Sequence, residues 1–228
     1  MRKTWIALAA LFLTSALAPA QDRAAWQIFG GYQYTYSDYG PIQDAATAMG
    51  NVYTIAVPAD HTFTMTGGNF TIQKNIGKRW SGAIDIGVMR GTKIDDLSQI
   101  FQLLGYISSS GSQTATFNPS VYTLMFGPQY DVWNYRRMHV FVRGMGGASR
   151  SVLSMDDTTR KALNFLVPTY KTTTTDPAVM AGAGVESVVW RHIFVRGSAD
   201  YIHPFSTSTQ NYLRISAGVG IERVGRLF

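Results

Sequence analysis

The stretch Leu213-Arg214-Ile215-Ser216-Ala217-Gly218-Val219-Gly220-Ile221-Glu222 decides the fold. Leu213, Ile215, Ala217, Val219 and Ile221 are apolar. The residues between them are charged or small. Successive side chains of a β-strand point to opposite faces, so one face of this strand suits hydrocarbon and the other water. A soluble sandwich also alternates. The same rhythm, however, returns in about eight segments of a chain that opens on an export-type leader and contains no cysteine. That combination predicts an all-β, eight-stranded, antiparallel, up-and-down transmembrane β-barrel.

The N-terminus reads as a signal peptide over residues 1–20, with the barrel domain over 21–228. Arg2 and Lys3 form a basic head, Trp5 to Leu17 an apolar core, and Ala18-Pro19-Ala20 a small-residue cleavage site. The apolar run is shorter than the roughly 20 residues of a helical span. No cysteine follows it, which excludes a lipoprotein anchor. Without the leader, 18 basic residues face 14 acidic ones, a net +4 in place of +6. That mild excess is no nucleic-acid footprint, and no nucleic-acid partner is expected. Zero cysteine removes disulfides and thiolate chemistry. Beyond the leader no long apolar run remains, so the mature chain can enter a membrane only as a closed barrel.

The expected strands are Trp26–Tyr36, Phe63–Ile76, Trp80–Arg90, Asn118–Trp133, Met138–Val152, Ala178–Trp190, Ile193–His203 and the opening segment. Short turns at Gly77-Lys78-Arg79, Asn134 to Arg137 and Arg191-His192 alternate with long polar stretches, Ser37–Thr62, Gly91–Phe117 and Ser154–Pro177. Pro204 to Gln210 is shorter. Outer-membrane barrels keep short turns in the periplasm and long loops outside. The tracts Ser108 to Ser112 and Thr172 to Thr175 read as mobile loop. Asp95 to Ile107 reads equally well as a short loop helix or a loop cluster. Trp26, Trp80, Trp133 and Trp190 fall at the turn end and form a candidate aromatic girdle. Tyr34, Tyr36, Tyr122 and Tyr201 fall toward the other interface.

The parity opposite to the apolar face selects a candidate lumen network of Asp85, Asp131, Arg143, Glu186, Arg196, Asp200, Arg214 and Glu222, with Gln129 beside them. Eight strands enclose an interior just wide enough for side chains, where charges must pair. The set reads as a gated polar channel or as a plugged interior that fixes strand register, and the narrow bore favours the second. Catalysis finds little support. His203 with Ser206 and Ser208 lacks an orienting acid, since Asp200 should face the lumen. His61 with Asp60 lacks a nucleophile. Asp95-Asp96 and Asp156-Asp157 lack calcium-loop spacing. No catalytic residue, cofactor or metal site is expected. The basic pairs of the short turns could touch anionic headgroups or periplasmic partners, but ordinary solvated turn residues are the better reading.

The leader, the eight alternating segments, the loop asymmetry and the terminal Phe228 together resemble the family of small outer-membrane β-barrels typified by the OmpA transmembrane domain and OmpX. The resemblance spans essentially the whole mature chain. It implies a monomer exported to the outer membrane, in contact with outer-membrane lipid and lipopolysaccharide. It also implies an encounter with the barrel-assembly machinery, for which Phe228 is the candidate signal. Phe228 has the parity of the polar face, so either the tail from Val224 contains a bulge or Phe228 hangs beyond the barrel. No wall-anchoring domain follows the barrel, and the signatures of lipid A deacylases and palmitoyltransferases are not seen. The expected role is a non-enzymatic surface barrel. The alternatives are a narrow pore for small solutes and an outer-rim lipid-modifying enzyme.

Overall fold

In the computed structural model, alternation over long segments becomes a closed antiparallel sheet. The structure describes residues 26–39, 62–76, 78–96, 114–155, 173–206 and 210–223. Residues 1–20, residues 224–228 with Phe228, His61 and Asp156-Asp157 lie outside them. The strands are β1 (Trp26–Tyr39), β2 (Thr62–Asn75), β3 (Trp80–Arg90), β4 (Lys93–Asp96), β5 (Thr114–Tyr135), β6 (Met138–Met155), β7 (Thr173–Trp190), β8 (Ile193–Pro204) and β9 (Gln210–Arg223). β4 continues β3: both pair with β5 in one register, Arg90 opposite Ser120 and Lys93 opposite Phe117. The wall therefore has eight strands. Each pairs with its neighbours in sequence, and β1 pairs with β9 from Trp26–Arg223 to Tyr39–Gln210. Closure leaves no open edge in the eight-strand wall, which hydrocarbon requires, while the short β4 pairs with β5 alone beyond it. At the closing seam Gly31 lies opposite Gly218, and a Cβ on Gly218 would collide with the Gly30 carbonyl. A glycine there lets the first and last strands approach.

The outer face carries the apolar parity. Ile28, Tyr32, Phe70, Ile84, Ile86, Leu124, Phe126, Ile215 and Val219 are all exposed. The inner face is mostly buried, with half-buried positions such as Gly31, Asn75 and Asp176.

Several strands run farther at the loop end than the alternation indicated. β5 begins at Thr114 rather than Asn118, β6 ends at Met155 rather than Val152, and β7 begins at Thr173 rather than Ala178. Thr173 to Thr175, expected as mobile loop, pair with Val152 to Arg150. Lys93–Asp96 is strand, so any helix of the Asp95–Ile107 stretch cannot begin at Asp95; residues 97–107 lie outside the described residues. A bilayer-spanning strand needs about 9–11 residues. The 22 residues of β5 and the 18 each of β6 and β7 exceed that. The excess stands in water, where a strand needs no apolar face, so hydrophobic alternation could not mark it.

Two bulges lie at the turn end. Between Asp131 and Trp133 the register of β5 against β6 shifts by one residue, and the same happens between Val188 and Trp190 on β7 against β8. An extra residue flips the side chains that follow it. Asp131 is inward and fully buried, yet Trp133, at the same parity, is 48% exposed. Glu186 is inward, yet Trp190, at the same parity, is 66% exposed. The bulges thus turn two tryptophans from lumen to lipid. Deleting Val189 should remove the extra residue and set Trp190 directly after the inward Val188, still on the outer face, so the heat-modifiable folded gel band should persist.

Candidate functional site in the barrel lumen

The inward parity of β3, β6, β8 and β9 brings four charged side chains to one level. Asp200 on β8 accepts two hydrogen bonds from Arg143, Nε to Oδ1 at 2.8 Å and Nη2 to Oδ2 at 2.7 Å. Arg214 Nε donates to the same Oδ2 at 3.1 Å. Arg214 Nη1 donates to Asp85 at 2.8 Å, and Arg143 Nη1 lies 3.6 Å from Asp85. Two arginines and two carboxylates thus alternate in a closed ring. Thr71 donates to Asp85 at 2.9 Å, and Ser198 to Asp200 at 3.4 Å. All four charged side chains are buried. Buried ions hold only when paired and hydrogen-bonded, and this ring satisfies that condition with equal numbers of each charge.

Toward the turn end, Arg196 on β8 pairs with Glu186 on β7 and donates to Gln73 at 2.8 Å. Its guanidinium sits 5.0, 5.2 and 5.6 Å from the ring centroids of Phe29, Phe141 and Phe194. Three aromatic faces around one buried cation supply the electrostatic attraction that desolvation makes stronger. Gln129 Nε2 donates to Glu186 at 3.5 Å, and Gln27 Nε2 to Glu222 at 3.4 Å. Asp131 lies 3.9 Å from His139 Nδ1.

The loop-side half of the lumen has a different character. Phe63, Met65, Met89, Phe117, Val121, Leu153, Met180, Ile202 and Tyr212 form one buried cluster that reaches inward to Met125 and Met145. Unbranched methionines fill irregular gaps. Two of them accept from the polar level: Met180 Sδ from Arg214 Nη2 at 3.2 Å, and Met89 Sδ from Thr35 at 3.0 Å. From turn end to loop end the lumen therefore reads as an aromatic cage, a charged ring and a largely apolar layer in which Ser151 pairs with Tyr212 Oη at 3.2 Å.

The structure places Asp85, Asp131, Arg143, Glu186, Arg196, Asp200, Arg214 and Glu222 inside the barrel. It joins Asp85, Arg143, Asp200 and Arg214 in the ring and pairs Glu186 with Arg196. Glu222 and Asp131 lie nearer the turn end with separate neighbours. Sequence reasoning did not find the aromatic cage. The available signal was that Phe29, Phe141 and Phe194 occupy inward parity in strands whose outward positions are also apolar.

Trp26, Trp80, Trp133 and Trp190 stand on the outer face at the turn end, 46%, 54%, 48% and 66% exposed. Trp80 packs on Tyr130 at 4.8 Å, and Trp133 on Tyr135 at 5.7 Å. At the other end Tyr34, Tyr36, Tyr122 and Tyr201 are exposed on the same face. At that rim Asn211 Oδ1 accepts from Tyr201 at 2.8 Å and stands 2.8 Å from His203 Nδ1. An amide, not a carboxylate, orients His203, and Asp200 is committed to the lumen ring. Ser208 lies outside the described residues. Among the described residues no cluster of three His, Asp or Glu could hold a metal.

Known proteins share this architecture. The chain resembles, at 12% identity, the attachment invasion locus protein Ail of Yersinia pestis, over 87% of this chain and 98% of that one, with a TM-score of 0.51. It resembles Neisserial surface protein A at 9% identity, over 87% and 97%, and the outer membrane protein OprG of Pseudomonas aeruginosa at 9%, over 91% and 100%, each with a TM-score of 0.51. These likenesses show the fold. No curated protein sequence matches the chain. The family model of the outer membrane protein β-barrel domain matches residues 6–222, nearly the full length. The chain therefore belongs to the outer membrane protein β-barrel family.

Proposed function

We propose that this outer-membrane barrel is neither a pore nor an enzyme, and that it acts through what it presents at the loop end, as an envelope-structural or surface-interaction protein. The observation that carries this reading is the filled lumen. The charged ring closes on itself, and the layer beyond it is made of side chains with essentially no exposure, among them Met89, Val121, Met125, Ile202 and Tyr212. An ion entering from the loop end would have to cross that apolar layer at a large desolvation cost. β5, β6 and β7 are longer than a bilayer span needs, as a presenting surface would require. Residues 1–20 serve as a cleaved export signal, residues 21–228 as the barrel, and Phe228 as the signal to the assembly machinery. The barrel works as a monomer.

Two experiments test the reading. In planar bilayers the purified protein is expected to give no single-channel steps above the lipid baseline. Steps altered by Arg143→Gln or Glu186→Gln would establish the pore instead. In cells, a deletion strain is complemented with the full chain or with a chain whose residues 98–112 and 157–171 are replaced by short Gly-Ser turns. Detergent resistance restored by both chains supports an envelope role. Surface retention restored by the full chain alone supports presentation. If the deletion changes neither property, the proposal fails. A lipid A mass change that depends on His203 would favour the enzyme.

A further inference from the structure

The rim at the turn end is cationic in every turn. Lys78-Arg79 follows β2, Arg136-Arg137 joins β5 to β6, and Arg191-His192 joins β7 to β8, while Lys74 stands on the outer face of β2. The acidic groups described at this end, Asp131, Glu186 and Glu222, are buried in the lumen at 0%, 1% and 8% exposure. Among the described residues the rim therefore shows solvent and headgroups only positive charge. The loop end differs: Asp38 and Asp176 stand there with Arg90 and Arg150.

Two further observations separate this from ordinary solvated turns. The first is backbone geometry. Arg136 and Arg191 open their two-residue turns at φ 54° and φ 34°. A hairpin turn with positive φ at its first central residue favours glycine, because a Cβ is strained there. Arginine at both positions keeps a cation against the local conformational preference. The second is height. Lys74 Nζ lies 5.2 Å from the Trp26 ring, and the Arg136 guanidinium 5.2 Å from the Tyr135 ring. Arg79 Nη1 donates to Tyr130 Oη at 3.3 Å, on the ring that packs against Trp80. Amphipathic rings of this kind settle at headgroup level. The cations tied to them are held in the phosphate plane rather than extended toward a distant partner.

We infer that the turn-end rim is a binding collar for anionic phospholipid headgroups of the periplasmic leaflet. Its cations, Lys74, Lys78, Arg79, Arg136, Arg137 and Arg191, neutralise phosphates at the depth the tryptophan girdle sets. The collar selects anionic over zwitterionic phospholipid around the barrel. Each cation near such a surface attracts it independently, and salt weakens the attraction.

The girdle supplies the test. Beyond residue 20 the chain has four tryptophans, and all four stand at this rim, so intrinsic fluorescence reads the collar alone. Protein purified from outer membranes is reconstituted in vesicles of phosphatidylcholine and phosphatidylglycerol, with one or the other lipid brominated to quench tryptophan. Brominated phosphatidylglycerol should associate about three-fold or more in excess of phosphatidylcholine at low salt. The preference should fall to about one at 1 M salt, where the Debye length is about 3 Å. A variant carrying Lys78→Gln, Arg79→Gln, Arg136→Asn and Arg191→Asn should also lose it; asparagine tolerates positive φ, so the turns should still form. Its folding is checked by the gel shift between unboiled and boiled samples. Equal association in the parent protein at low salt overturns the collar, as does a preference kept by the folded variant. If the variant does not fold, the parent's salt series decides, and a preference that survives 1 M salt overturns the inference. Salt-sensitive co-sedimentation with purified peptidoglycan, without any headgroup preference, would overturn it in favour of a cell-wall partner.

Discussion

Replacing Asp200 by alanine is expected to destabilise the barrel by about 3–5 kcal/mol, the cost of removing one partner from a buried ion pair. Asp200 is the carboxylate on which both ring arginines converge, with Arg143 bidentate at 2.8 and 2.7 Å and Arg214 at 3.1 Å. Without it Arg143 is left with the 3.6 Å approach to Asp85 and a 3.4 Å hydrogen bond to Ser198, in a lumen where its side chain is buried. The measurement is the urea midpoint of the folded gel band for protein in lipid bilayers. The double replacement Arg143→Met with Asp200→Leu removes one charge of each sign. It should recover most of the loss, because apolar side chains of similar volume replace buried ion pairs at little cost. A change under about 1 kcal/mol for Asp200→Ala would mean that water reaches the ring. The filled-lumen reading, and the non-conducting role built on it, would fall with that result.

Ile86→Arg is expected to cost about 2–4 kcal/mol, the penalty for arginine near the bilayer midplane on the lipid face of a barrel. Ile86 lies in the middle of β3, outward between Phe70 on β2 and Leu124 on β5, and is 45% exposed. Tyr36→Arg, on the same face but near the loop-end interface, should cost only about 0–1 kcal/mol, because the guanidinium can reach headgroups. The contrast with depth is the informative part. A soluble barrel would tolerate both arginines equally, since both positions face solvent there.

The two effects exploit the two faces that alternation separates. Lipid-face penalties depend on depth because hydrocarbon cannot solvate charge. Lumen penalties depend on partners because the protein itself must supply the solvation. Apart from Lys74 on the outer face of β2, the proposed phospholipid collar lies in the turns where the strands end, and there alternation is silent.

Much of the fold was legible because a membrane barrel writes a simple code. In Leu213–Glu222 every second residue faces lipid, and the same parity sorted Asp85, Arg143, Glu186, Arg196, Asp200 and Arg214 to the interior. A period of two is a property of the extended backbone, so it needs no knowledge of which strand lies beside which. The bounds of β3, Trp80–Arg90, followed from alternation and the adjoining turn. The turn-end tryptophans were visible as a positional pattern.

What the tertiary structure alone decided has one physical origin: it depends on register between strands distant in sequence. Asp200 meets Arg143 across 57 positions, and Arg214 meets Asp85 across 129; parity places such residues in the lumen but not at the same height. The three phenylalanines around Arg196 share that dependence, since Phe29, Phe141 and Phe194 come from three strands. The bulges before Trp133 and Trp190 depend on the partner strand too, because an extra residue exists only relative to the strand beside it. The loop-end extensions of β5, β6 and β7 are held by backbone pairing in water, which any polar sequence can provide. The sequence thus determined the two faces and their solvents. Pairing across the barrel set height, contact and strand length, because those are distances between chains rather than properties of one.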